Sequence, residues 1–175
     1  MNILKTCLSS MLLCLVCTAT HAATFCVTTG TQLYNNLNTA AGNGQDDIIR
    51  IVQGTLNGGN PDAFESLWQY YAASSDNATG LNVSGGWNVG CTSQVQNPEL
   101  SVLDANYTGA GLQFSNTSGD PLTGVFVVRN LTITRGKAEF NGQSAAFQWV
   151  VDGTAGNSIL LENVLVVASQ SAAAS

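Results

Sequence analysis

The segment GVFVVRNLTITRG, from Gly124 to Gly136, contains two short apolar runs separated by Arg129 and Asn130. Its alternating apolar residues are even-numbered before this pair and odd-numbered after it: Phe126, Val128, Leu131 and Ile133. In a straight strand the two sets would lie on opposite faces, because successive side chains alternate. A bend would place both sets inside, and asparagine tolerates the left-handed backbone that such a bend requires. The segment therefore predicts a strand, a bend at Asn130 and a second strand.

The same pattern recurs downstream in SILLENVLVV, from Ser158 to Val167. When Asn163 is aligned with Asn130, the apolar positions coincide at one constant offset, and Glu162 falls on Arg129. Such repeated units are typical of a solenoid with parallel stacking, whereas an antiparallel sandwich, the alternative, explains neither the offset nor the paired asparagines. The arrangement predicts a structural ladder of stacked amides at Asn130 and Asn163. It also predicts a surface ion pair between Arg129 and Glu162.

One upstream segment has helical periodicity. Thr31 is a suitable N-cap, Gly42 ends the pattern, and the apolar residues between them fall on one face: Leu33, Leu37, Ala40 and Ala41. We therefore predict a helix at about residues 31–41, and short strands between turn clusters in nearly all of the remaining chain.

Residues 1–22 have the features of a secretion signal. The apolar stretch Leu8–Val16 follows a single positive charge, and the sequence THA before Ala23 is a small-x-Ala cleavage pattern. The apolar stretch is shorter than the roughly 20 residues of a membrane-spanning helix, and no later stretch is long and apolar enough. We therefore expect a signal peptide at 1–22, one mature domain at 23–175 and no transmembrane segment. The expected location is the periplasm, the extracellular space or the cell surface.

Two cysteines, Cys26 and Cys91, remain once the signal is removed. In an oxidising compartment such a pair most simply forms a disulfide, and two free thiols are the alternative. Closing a loop of this length would restrict the unfolded chain by about 4 kcal/mol in the entropy model. The only histidine, His21, leaves with the signal. We therefore predict no metal site and no cofactor.

The chain is poor in charge. Charged residues make up 9% of it and are mostly acidic, against about 25% in an average domain. A nucleic-acid partner requires a basic patch that neutralises phosphates, and attraction to anionic lipid requires basic residues too. The composition therefore argues against a nucleic-acid partner and against adhesion to anionic lipid by charge alone.

Several segments carry a resemblance to a known family: FCVTTGTQLYNNLNTAAGNGQDDIIRIVQGT, LNVSGGWNVGC, SVLDAN and VVRNLTITRG. They resemble the right-handed parallel β-helix proteins of the pectin-lyase-like superfamily, especially secreted bacterial members with repeats like those of polymorphic outer-membrane proteins. The matching motifs are a Gly-Thr turn at Gly54-Thr55 and the Gly-Gly-aromatic element that ends at Cys91. The Leu-Asp-Gly-like turn departs from the family pattern, because Ala105 replaces the glycine.

The resemblance implies an all-β fold, a right-handed parallel β-helix of about three coils, near the minimum for a stable stack. It also implies that the predicted helix caps the N-terminal end and that a Cys26–Cys91 disulfide tethers this cap to an inserted loop. The C-terminal end shows no matching cap. We therefore expect a truncated chain, marginal stability, or self-association through the uncapped C-terminal coil, which offers Ile159, Leu161, Val164 and Val166.

The superfamily includes polysaccharide hydrolases, which use a histidine, and lyases, which use clustered aspartates for calcium and a cationic base. The mature chain has no histidine. The candidate lyase residues are the ligands Asp104, Asp120 and Asp152 and the bases Arg129, Arg135 and Lys137. None forms a recognised motif, and Asp120 and Asp152 occur in turn-like contexts where aspartate is favoured for backbone hydrogen bonding. We therefore predict no catalytic residues.

Three aromatic residues, Trp68, Tyr70 and Tyr71, are weak candidates for contact with a glycan, the alternative being that they pack beneath an inserted loop. The sequence also contains N-x-[ST] triplets at Asn77, Asn82, Asn106, Asn116 and Asn130. Because the signal and the resemblance are bacterial, we expect no attached glycans.

These observations predict a secreted or cell-surface module without catalysis, adhesin-like or a structural scaffold. Its expected partners are an extracellular glycan, a cell surface or another copy of itself. The alternative is a fragment of a carbohydrate-active enzyme resembling a polysaccharide lyase.

Overall fold

The computed structural model describes residues 22–58, 68–72, 80–107, 109–116, 124–137, 146–150 and 158–167. The predicted signal peptide, apart from Ala22, lies outside the described residues, as do Asn77, Asp120 and Asp152.

The described chain contains one α-helix, α1 (Gly30–Gly42), and a short 3-10 turn at Pro98–Leu100. Its strands are β1 (Thr24–Val27), β2 (Asp47–Val52), β3 (Gly54–Asn57), β4 (Trp68–Ala72), β5 (Leu81–Trp87), β6 (Ser101–Asp104), β7 (Leu112–Asn116), β8 (Val125–Thr134), β9 (Phe147–Val150) and β10 (Ser158–Val167).

These strands form two parallel sheets. The seven-stranded sheet has the order β1-β2-β5-β8-β6-β3, with β10 also paired to β8, and the three-stranded sheet has the order β4-β7-β9. All pairs between named strands are parallel, which excludes the antiparallel sandwich.

The predicted all-β, right-handed parallel β-helix of about three coils is wrong. The described residues form an α/β-type fold, a helix with two parallel sheets, and neither sheet closes or forms a solenoid. Strand β8 pairs with β5 through its first half and with β6 through its second half, so the segments on both sides of the bend belong to one open sheet. The repeat reveals parallel neighbours, but closure depends on the course of the connections, which the repeat does not encode.

The bend in β8 is a left-handed residue inside a strand. Asn130 has φ of 53° and Asn163 has φ of 54° at the equivalent position of β10. The Nδ2 of Asn163 donates a hydrogen bond to Oδ1 of Asn130 at 2.9 Å. The register runs in parallel through the bend, from Glu162 beside Arg129 to Val164 beside Leu131. Asn130 is buried, which is incompatible with an attached glycan at this position.

A glycine of β5 lies against this bend. A Cβ atom on Gly85 would lie 2.3 Å from the carbonyl oxygen of Asn130, closer than any side chain tolerates. The bend and Gly85 of β5 are therefore complementary, since the turning chain needs a neighbour without a side chain.

Helix α1 begins slightly earlier than the sequence predicts. Its N-cap is Thr29, whose Oγ1 accepts a hydrogen bond from the backbone N of Gln32 at 3.2 Å, so the assignment of Thr31 as N-cap is wrong. Thr29 has the extended backbone of an N-cap residue, with φ of −136° and ψ of 156°, whereas Thr31 already lies within the helix. The buried face consists of Leu33, Leu37, Ala40 and Ala41, and the helix packs on β4 and β1.

Aromatic rings join the two sheets in the core. Phe126 of β8 lies 5.5 Å from Tyr70 of β4, 5.9 Å from Phe114 of β7 and 5.6 Å from Trp149 of β9, measured between ring centroids. Edge-to-face pairs of this kind add about 0.5–1.5 kcal/mol beyond the burial of their area. Phe126 therefore anchors the small sheet to the large one.

We expect Asn130→Leu to lower the free energy of unfolding by about 2–3 kcal/mol, because leucine is strained at positive φ and cannot bind the amide of Asn163. Urea unfolding of the purified protein measures this change. Asn130→Gly is the control, since it keeps the backbone relaxed and removes only the amide, and should cost less. Unchanged stability in the leucine variant would contradict this role of the bend.

Candidate functional site

Two residues of the alternative lyase hypothesis, the candidate ligand Asp104 and the candidate base Arg135, meet at the carboxyl ends of β6 and β8. The register places Asp104 beside Thr134, so that the next residue, Arg135, reaches across. Arg135 Nε donates to Asp104 Oδ1 at 2.6 Å, and Nη2 of the same guanidinium donates to Oδ2. This bidentate ion pair uses the planar fork of arginine, the strongest geometry for a carboxylate.

The backbone around this ion pair is strained. Asn106, Tyr107 and Arg135 have φ of 52°, 58° and 53°. Left-handed conformations cost on the order of 1 kcal/mol or more for each non-glycine residue and persist only where the surroundings enforce them. The enforcing contacts include a hydrogen bond from the N of Tyr107 to the O of Arg135 at 2.6 Å and one from the N of Asn106 to Asp104 Oδ1 at 3.0 Å.

The ring of Tyr107 lies near the guanidinium of Arg135, whose Cζ is 5.8 Å from the ring centroid. A cation at this distance from an aromatic face is weakly attracted by the ring quadrupole. Arg135 is therefore held by both a carboxylate and a ring, which restrains its approach to any other group.

The ion pair fixes the protonation states of both partners. The hydrogen bond from Arg135 lowers the pKa of Asp104, which outweighs the opposing effect of burial. The same hydrogen bond raises the pKa of Arg135 above its already high ordinary value. A guanidinium that binds its proton more tightly is a poorer general base, so the geometry does not favour Arg135 as the base of a lyase.

The other cationic candidates lie elsewhere in the structure. Arg129 Nη1 is 3.7 Å from Glu162 Oε2, and the two side chains are 35% and 58% exposed, so this partly solvated pair contributes little to stability. Lys137 is exposed and its backbone N donates to the O of Gly109 at 2.9 Å. Within the described residues, no group of three or more His, Cys, Asp or Glu side chains is arranged to hold a metal ion.

The three aromatic candidates do not form a surface. Trp68 is 1% exposed and Tyr70 is 0% exposed, whereas Tyr71 is 44% exposed. Trp68 donates from Nε1 to the O of Gly30 at 3.0 Å, which ties β4 to the start of α1. Alternation along β4 explains the difference, since the two buried rings and Tyr71 face opposite sides of the strand. A sugar could therefore reach only Tyr71 of the three.

A disulfide joins Cys26 of β1 to Cys91 in the loop after β5, with Cα atoms 5.8 Å apart. Arg50 of β2 pairs with Cys26 in the sheet and donates from Nη1 to the O of Cys91 at 2.9 Å. The Cζ of Arg50 lies 4.4 Å from the ring centroid of Trp87. The disulfide and the arginine together fasten the loop to the first strands of the sheet.

The sequence did not single out the carboxylate of Asp47, which is 2% exposed and accepts from the N of Ala23 at 2.9 Å and from Asn43 Nδ2 at 2.7 Å. Its pKa is raised because burial outweighs these two hydrogen bonds. The signal available in the sequence was the acidic pair Asp46-Asp47 placed directly before an apolar strand.

The apolar side of β10 carries the residues for which the sequence predicts self-association. Its residues Ile159, Leu161, Val164 and Val166 pair with Phe126, Val128, Leu131 and Ile133 of β8, all of which are 0% exposed. By contrast, Leu161 is 44% exposed and Val166 is 45% exposed. Among the described residues, β8 is the only strand that pairs with β10. Ile159 and Val164 are partly buried and pack against the core. The side of β10 that corresponds to the protein core is thus only partly covered, and we call these four residues the β10 row.

No helix in the described part of the chain combines the length and apolarity needed to cross a membrane. Comparison of the chain with protein-family models, with curated proteins and with solved structures gives no match.

We expect Asp104→Asn to destabilise the protein by about 1 kcal/mol at pH 7, since the partly exposed Arg135 loses its charge partner in a screened setting. The folded-state pKa of Asp104 is lowered, so its contribution is present above the ordinary aspartate pKa and is lost as pH falls below it. The measurement is denaturant unfolding between pH 7 and pH 3. The variant should lose less stability on acidification, and Glu99→Gln, at an exposed acid, should follow the unmodified protein. Parallel curves for both variants would contradict the role of the ion pair.

Proposed function

We propose that this protein is a secreted or cell-surface structural module without catalysis, a scaffold or adhesin-like component that associates through the β10 row. The observation that carries the proposal is the exposure of Leu161 and Val166 at positions whose partners in β8 are fully buried. A side that is core in one strand and only partly covered in the next strand favours the addition of further structure.

The backbone of β10 also supports association with another strand. A strand at the edge of a sheet presents unpaired N–H and C=O groups and can bind another strand by main-chain hydrogen bonds. Affinity would come from the backbone, and specificity from the β10 row. A second copy of the chain carries the same row and is the partner that we propose.

Export is supported by residues at the start of the chain. The pattern THA before Ala23 fits removal of a leader, and the Cys26–Cys91 disulfide suits an oxidising compartment. The low charge of the chain agrees with a role in packing against other surfaces rather than in binding phosphates.

The second candidate is a fragment of an enzyme resembling a polysaccharide lyase. The meeting of Asp104 and Arg135 at strand ends favours it, because ligand-binding residues often lie at such ends. Their bidentate pairing disfavours it, because the carboxylate and the guanidinium neutralise each other. The same contacts give the Asp104–Arg135 ion pair a structural role, because they hold the strained backbone at Tyr107 in place.

We expect the purified mature protein to increase in mass with concentration in light scattering, because two β10 edges bury their apolar rows together. Leu161→Lys should abolish this increase, since a charge in the row would be desolvated on association. Val89→Lys is the matched control, because Val89 is exposed in the loop after β5, and it should associate normally. A mass that does not depend on concentration in the unmodified protein would contradict the proposal.

We expect no depolymerisation of pectin or other acidic polysaccharides, with or without calcium, because Arg135 is a poor base in its ion pair. The formation of unsaturated uronate, followed by ultraviolet absorbance, measures this reaction. Calcium-dependent turnover that is lost in Asp104→Asn or Arg135→Lys would overturn the non-catalytic assignment in favour of the lyase fragment.

A further inference from the structure

The first residue after the predicted cleavage position lies against a buried carboxylate. The backbone N of Ala23 donates to Asp47 Oδ1 at 2.9 Å, and the backbone O of Ala23 accepts from the N of Ile48 at 2.8 Å. Ala23 is therefore held on both sides of its Cα, immediately before β1 pairs with β2 from Thr24 beside Ile48. Ala22, on the other side of the bond to be cleaved, is exposed.

The carboxylate of Asp47 is buried without a cationic side chain. The ion pairs of the described residues join Arg129 to Glu162 and Arg135 to Asp104, and neither involves Asp47. Removing a carboxylate from water is costly unless hydrogen bonds and a counter-charge compensate. In the chain as described, Asp47 has two neutral donors, Ala23 N and Asn43 Nδ2.

The surroundings of Asp47 further destabilise its negative charge, so a nearby positive charge would be favourable. Asp46 is the neighbouring acid and opposes ionisation of Asp47. Asn43, which binds Asp47 Oδ2, is the C-cap of α1, and the C-terminal end of a helix disfavours an anion and favours a cation. No charged residue occurs within α1, β1 or β5. The cation of β2, Arg50, is engaged by the O of Cys91 and the ring of Trp87.

We propose that cleavage between Ala22 and Ala23 creates the missing partner, an α-ammonium group on Ala23 that forms an ion pair with the buried carboxylate of Asp47. Water adds across the peptide bond under the action of an export protease, which leaves a carboxylate on Ala22 and an amine on Ala23. This amine takes a proton from solvent near neutral pH, because free α-amino groups have a pKa of about 8. The inference rests on the export proposed above.

The new charge requires no rearrangement at this end of the sheet. The nitrogen already lies at hydrogen-bond distance from Asp47 Oδ1, and cleavage converts a neutral donor into a charged one. The pair would join the new N-terminus to β2 and, through Asn43, to the end of α1. Removal of the leader would thus strengthen the folded state, so that the exported chain is more stable than its precursor.

The first experiment determines the N-terminus of the exported protein by mass spectrometry of the intact chain. We expect a chain that begins at Ala23. A chain that begins at any other residue would overturn the inference, and a chain that retains Met1 would overturn the export proposal as well.

The second experiment measures the pair directly on a chain that begins at Ala23, released from a fusion by a protease that leaves no extra residue. Four proteins are compared by thermal unfolding at pH 7: a free or an acetylated amine, each with Asp47 or with Asp47→Asn. Acetylation should lower Tm by about 5 °C when Asp47 is present and by much less in Asp47→Asn. Equal effects in both backgrounds would overturn the ion pair and leave export unaffected.

A third measurement needs no substitution and so does not depend on the folding of a variant. Titration of the Ala23 amine by NMR should give a pKa at least about one unit above its ordinary value, because the buried carboxylate favours the charged form. A raised folded-state pKa means that the stabilisation is present below about pH 8 and is lost as pH rises through the raised value. An ordinary or lowered pKa would overturn the inference. Asp46→Asn, at the exposed neighbour, is the control and should retain most of the shift.

Discussion

The left-handed backbone at Asn130 is the constraint on which the large sheet depends. It allows β8 to bury Phe126 before the bend and Ile133 after it, although a straight strand would expose one of them. The same strand can then pair with β5 along its first half and with β6 along its second. Gly85 of β5 leaves room for the bend, and Asn163 of β10 repeats it. The neighbouring strands β5, β8 and β10 therefore have compatible local geometry.

The few charged side chains mainly hold turns and loops of the backbone in place. Asp104 and Arg135 bind each other at the ends of β6 and β8 and hold a turn that contains strained residues. Arg50 fastens the disulfide-bonded loop through the O of Cys91. Because each of these charged side chains makes a structural contact, its presence in the sequence does not imply a reactive group. The buried carboxylate of Asp47 is the exception that points to a partner created by maturation.

The exposure of residues in the β10 row is significant because their strand partners in β8 are buried. Leu161 would mean little as a single exposed residue, since folded proteins expose much apolar surface. Its strand partner Val128 is fully buried, and Val166 beside the buried Ile133 repeats this contrast, whereas Ile159 and Val164 are partly buried against the core. A surface that has the composition and register of the core is suited to association, and this supports a role in assembly more than a role in catalysis.

The sequence by itself determined the local features of this protein. Side-chain parity and the αL preference of asparagine located the bend, helical periodicity identified the buried face of α1, and the constant offset indicated parallel neighbours. The overall architecture was decided only in the tertiary structure, because closure of a sheet depends on connections that carry no repeat, and the predicted β-helix was therefore wrong. The contact of Asp47 with Ala23, the pairing of Asp104 with Arg135 and the burial of Tyr70 also required the fold. Each depends on residues distant in the chain, whose proximity is set by strand register rather than by any local pattern.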